Sequence, residues 1–138
     1  MTAIPTPPNV RRGLITAISV WLSVVGLAWA ADPDAVRRAM SEMMAAAQAM
    51  VDSGERRDLD RMVRDAQRVM ESGERALESL PQPGNRHARD AADHVRQAIE
   101  YAQKVVDAGE QGRGEDALTH ARRALSQVRR GAGHAEAL

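Results

Sequence analysis

A helical apolar pattern occurs twice in this chain at one fixed displacement. Val36, Met40, Met43, Ala47 and Met50 are spaced by threes and fours. The same spacing returns further along as Ala91, Val95, Ala98, Ala102 and Val105. Val63, Ala66, Met70 and Gly73 return at the same displacement as Leu118, Ala121, Leu125 and Val128, and Gly54-Glu55 returns as Gly109-Glu110. Three-four spacing puts apolar residues on one face of a helix, whereas a strand would alternate them. No window alternates in that way. A unit of two helices and a turn is therefore present twice.

Start and stop signals bound four helices. Asp32 is an N-cap residue followed by Pro33 at the first helical position, which predicts a helix over 33–53. "SGERR" ends it, and a second helix is predicted over 58–80, stopped by "PQPG". Asn85 caps a third helix reaching to about residue 108, "GEQGRG" breaks it, and a fourth runs over 115–130. Short turns make neighbouring amphipathic helices antiparallel. The expected fold is all-α: an up-down four-helix bundle made of two duplicated hairpins, 33–80 and 85–130. The glycine-bearing segment "GAGHAEAL", 131–138, reads as a flexible tail.

The segment 1–30 obeys a different rule. Arg11 and Arg12 precede the uncharged run "GLITAISVWLSVVGLAWA", which closes on the small-residue exit Ala28-Trp29-Ala30. A basic start, an apolar centre and a small-residue end describe a secretory signal peptide. The expectation is a 1–30 signal and a 31–138 bundle domain in the periplasm or outside the cell, free of the membrane after cleavage. Both tryptophans fall in the signal, so Tyr101 is the one Phe, Trp or Tyr beyond it. The chain has no Cys and no Phe, which excludes disulfides and thiolate ligands and leaves a core of Ala, Val, Leu, Ile and Met. Such an Ala-rich core implies closely spaced helices and modest stability.

Beyond that segment there are 17 basic and 19 acidic side chains, a net charge of −2, interleaved along the helices. That pattern describes a solvated, ion-paired surface. It lacks the one-sided basic patch that nucleic acid requires. No phosphate-binding glycine loop, nucleophile elbow or metalloprotease His pair is present, and nothing sets a general base beside a nucleophile, so no enzyme activity is expected.

The stretch "HVRQAIEYAQKVVDAGEQGRGEDALTHARRALSQV", 94–128, resembles the small metal-binding protein family. The similarity lies in the H-V-x-x-A-I segment, the G-E-x-G-x turn and the A-x-x-H-A-x-x-A-L segment. It covers residues 85–130 most fully, and 34–80 through the duplication. Members are exported bacterial four-helix bundles with histidines at heptad spacing that bind divalent metals, copper especially. The resemblance implies that fold, and Cu(II) as the favoured ion with Ni(II) or Zn(II) possible. This chain is poorer in histidine: the first two helices carry none, and Arg113 stands where the family often has His.

Four histidines remain to be placed. His87, His94 and Tyr101 lie seven apart, each one residue before a core position of helix three. On helix four the stripe Arg113, His120, Gln127, His134 also steps by seven. Imidazoles seven apart on one helix are separated by roughly 10 Å along the axis, so His87 and His94 need help to share an ion. Asp90, three after His87 and four before His94, shares their face. It offers a His87/Asp90 or an Asp90/His94 pair, each needing a further ligand.

Folding helices three and four about the middle of their turn brings His87 level with His134, at the bundle end where Asp32 and Asp34 begin helix one. A carboxylate from that start is then expected to complete a site if the tail folds back. His120 has Asp116, four positions earlier, as its expected partner. The candidate ligands are His87, Asp90, His94, His120 and His134.

Met40, Met43, Met44 and Met50 crowd helix one. Thioethers suit Cu(I), yet in a chain without Phe methionine is the core filler, and three of these four lie on the seam. The expected function is buffering or scavenging of divalent ions, tighter as imidazoles lose their protons. The alternative, raised by the histidine-free first hairpin, is a metal-independent exported bundle acting through protein contacts or as a structural or stress protein.

Overall fold

A computed structural model describes residues 32–81 and 84–138; the expected signal, 1–30, lies outside the described residues. Four helices follow one another: α1 (Pro33–Glu55), α2 (Leu59–Ser79), α3 (Arg86–Glu110) and α4 (Gly114–Ala135). Each packs on its neighbours around the ring, α1 on α2, α2 on α3, α3 on α4 and α4 on α1. The chain is an all-α four-helix bundle.

The helix starts follow from local chemistry. Asp32 Oδ1 accepts the Asp34 amide at 3.0 Å with Pro33 inside the first turn, Asp58 Oδ1 accepts Arg61 N–H at 3.0 Å, and Asn85 Oδ1 accepts His87 N–H at 2.9 Å. These side chains satisfy amides that have no partner within the helix. α4 begins at Gly114 without a side-chain cap.

The duplication extends to the turns. Arg57 N–H bonds to Gly54 O and Asp58 N–H to Ser53 O; at the equivalent positions of the second hairpin, Gly112 N–H bonds to Gly109 O and Arg113 N–H to Ala108 O. Both turns need one residue in the left-handed region. Gly112 supplies it at φ 70°, and Arg57 at φ 59°. Gly54 and Gly109 do not break their helices. They lie at the helix ends, and they let other helices approach.

The core is built of Met, Val and Ala. Met43, Met50, Met62, Val36, Val69, Val95, Val105 and Val128 are its largest fully buried side chains. The expected stripes of α1 and α3 are buried throughout. That of α2 is turned by one residue: Met62 and Val69 are fully buried, while Val63 and Met70 pack at the margin. The reason is polar. The buried face of α2 also carries Asp65 and Ser72, which mask its apolar period. Asp65, its side chain 3% exposed, accepts the Ser53 hydroxyl at 2.9 Å and lies 3.5 Å from Arg68.

One helix is longer than its sequence suggests. α4 continues through Gly131 and Gly133 to Ala135, where the sequence predicts a flexible tail. Gly131 and Ala135 are buried against the bundle, so packing carries the helix through residues of low helix propensity.

Candidate metal centre

α3 and α4 lie against each other in a register that pairs their polar stripes. A step of seven forward on α3 matches seven backward on α4. His87 meets His134 with ring centroids 6.0 Å apart, His94 meets Gln127, and Tyr101 meets His120 with centroids 6.3 Å apart. His134 also stacks on His94 at 5.5 Å with 15° between the ring planes. His134 thus lies beside both α3 histidines and bridges the gap that keeps those two apart.

The sequence candidates fall into two groups. His87, His94, His134 and Asp90 gather at one end of the α3–α4 seam. His134 Nδ1 lies 4.0 Å from Asp90 Oδ2, and Arg86 Nε lies 3.7 Å from the same oxygen. The carboxylate of the cluster is therefore Asp90. Asp32 and Asp34, from whose helix start a completing carboxylate is expected, are occupied there: Asp32 caps the helix and lies 3.5 Å from Arg38, and Asp34 bonds to Arg37 at 3.2 Å. His134 reaches its partners by extension of α4, without any folding back of a tail.

Gln127 contributes what sequence reasoning did not assign. His94 Nδ1 lies 2.8 Å from Gln127 Oε1. With the amide oxygen as acceptor, the pairing is that of the His94 tautomer that carries its proton on Nδ1 and donates it. In the neutral imidazole Nε2 then keeps its lone pair, the state a metal ligand needs. The signal available in the sequence was Gln127's place between His120 and His134 on the heptad stripe.

As the side chains stand, no group of three or more His, Asp or Glu among the described residues is placed to hold a metal ion. The stacking explains this. Ring nitrogens bind along lone pairs in the ring plane, and the His94 and His134 planes are nearly parallel, so the nitrogens do not converge. Convergence requires at least one of the two stacked rings to turn out of the stack.

His120 stands apart. Asp116, its expected partner, bonds instead to Arg113 at 3.0 Å, and His120 Nδ1 is buried without a hydrogen bond. Tyr101, beside it, carries Lys104 at 5.1 Å and Arg123 at 6.0 Å from its ring centroid. Cations around Tyr101 oppose a further positive ion there. A hydrogen bond from Lys104, helped by its charge, holds the Glu100 carboxyl below its usual range, and Glu100 in turn raises Lys104.

A scan against protein-family models found no match, and neither did searches of the curated proteins and of the solved structures.

Proposed function

We propose that this protein is an exported metal-binding bundle that buffers or scavenges divalent ions, copper foremost, at the His87/Asp90/His94/His134 cluster. The observation that carries the reading is the gathering of three of the four histidines, from two helices, with His134 beside both His87 and His94 and 4.0 Å from the Asp90 carboxylate. Neutral imidazoles with one carboxylate suit Cu(II) best among divalent ions of this row, then Ni(II) and Zn(II). Asp90 and His134 are partly open to solvent, as suits an ion that is taken up and released. The likeness to the small metal-binding proteins and the apolar leader support the same reading. No helix among the described residues is long and apolar enough to cross a membrane.

Calorimetric titration with Cu(II), Ni(II) and Zn(II) tests it. The protein should bind far more tightly than millimolar, and His87→Gln/His94→Gln/His134→Gln should abolish that binding while His120→Gln leaves it intact. Equal binding by the protein and the triple variant refutes the assignment.

A second reading, action through protein contacts, draws on an apolar groove between α1 and α4 lined by Met40, Met44, Ala45, Ala132 and Ala135. It gains if neither protein binds ions.

A further inference from the structure

The last turn of α4 carries His134, and its sequence is the weakest helix former in the bundle: Gly131, Ala132, Gly133, His134, Ala135. Neither glycine is required by backbone geometry, since among the described residues only Gly112 is a positive-φ glycine. Nor does packing demand Gly133. A Cβ built there meets nothing within 4 Å, and the residue is exposed. A Cβ at Gly131 meets His94 Cβ and Met40 Cε at 3.4 Å and the Ala91 carbonyl at 3.5 Å, which is ordinary contact. What the glycines do is loosen the turn, since each disfavours helix relative to alanine.

That looseness falls on the one residue that joins the cluster together. His87, Asp90 and His94 are held by α3, whose first turn is capped by Asn85. His134 reaches them only while the final turn of α4 is helical. Opening the turn carries His134 away and leaves two α3 histidines too far apart to share an ion.

Building on the proposed metal function, we propose that ion binding and closure of the final α4 turn, residues 131–135, are coupled, so that a divalent ion staples this turn to α3. The coupling is reciprocal: the ion holds the turn closed, and anything that closes the turn raises the affinity for the ion. The glycines thereby keep binding weaker than the ligand set alone would give, which favours release.

Gly133→Ala isolates the effect, because the new methyl touches nothing and changes only helix propensity. Zn(II) serves as the probe ion. Gly133→Ala should bind Zn(II) more tightly, by up to about five-fold if the free turn is mostly open. In the unmodified protein, Zn(II) should slow amide hydrogen exchange at residues 131–135 more than at 114–125, and His134→Gln should remove that slowing. Gly131→Ala, which shares the propensity change, should shift affinity in the same direction. Unchanged or weaker Zn(II) binding in Gly133→Ala, with exchange at 131–135 indifferent to Zn(II), overturns the coupling and leaves the metal reading standing. Absence of Zn(II) binding in both proteins overturns the two together.

Discussion

The two hairpins share their backbone design and differ in what lies along the seam between their helices. On hairpin two the seam positions are His87, His94 and Tyr101 facing His134, Gln127 and His120. The equivalent positions of the repeat on hairpin one are Asp32, Ala39 and Ala46, with Ser79, Ser72 and Asp65. Hairpin one thus fills most of the same places with small side chains, and one with a buried carboxylate held by Ser53. The turn bonds and the helix-end glycines repeat; the chemistry does not. A bundle of this kind is specified by its turns, caps and apolar stripes. The polar positions beside each stripe are then free to differ, with histidines gathered in one hairpin and small side chains in the other.

The close approaches at Gly54 and Gly109 break this equivalence most strongly. A Cβ at Gly109 would lie 2.5 Å from Val63 Cγ2, on a stiff β-branched side chain, whereas at Gly54 it would meet Leu118 Cδ1 and Met62 Cε at 2.8 Å, both movable tips. Gly109→Ala should cost about 1–3 kcal/mol of unfolding free energy, and Gly54→Ala clearly less. Denaturant unfolding of both variants measures the difference, and equal costs would show that the two glycines are approached alike by their neighbouring helices.

Next comes the buried pair that only hairpin one has. Ser53→Ala takes a hydroxyl donor from the buried Asp65 carboxylate and should cost about 1–2 kcal/mol. The same measurement on Asp65→Asn, whose amide can still meet the hydroxyl, should show a smaller loss. The turns sharpen the comparison further. Gly112→Ala places a side chain in the left-handed region and should destabilise by about 1 kcal/mol, while Arg57→Gly should stabilise by a similar amount.

The smallest effect concerns Glu100 and Lys104, which are solvent-exposed. The folded-state pKa of Glu100 is lowered, so whatever the pair contributes is present above the ordinary carboxyl range and is lost as pH falls through the lowered value. Lys104→Ala should move the Glu100 titration upward in an NMR pH series, with the melting temperature nearly unchanged.

Much of this molecule was legible in its sequence. The caps Asp32 and Asn85, the stripes of α1 and α3, and the level meeting of His87 with His134 all follow from residue type, period and a fold about one turn, whereas Asp58 proves to cap α2 where the sequence placed it as that helix's first residue. Other features were hidden for physical reasons. Gly131 and Gly133 read as a stop, because local propensity says nothing of the burial of Gly131 and Ala135 that carries α4 onward. Asp65 and Ser72 masked the true face of α2. Arg57 took a conformation that its residue type disfavours, because the turn it closes is fixed by the helices on either side. Gln127 shares the heptad stripe of His120 and His134, but its pairing with His94 depends on the α3–α4 register, which residue type does not show.

Electron paramagnetic resonance of Cu(II) bound at one equivalent shows whether one ion is shared between α3 and α4. Nitrogen couplings from at least two imidazoles are expected in the unmodified protein, reduced by one in His134→Gln and unaffected in His120→Gln. A Cu(II) signal with a single imidazole, or one that His134→Gln leaves unchanged, would contradict that sharing.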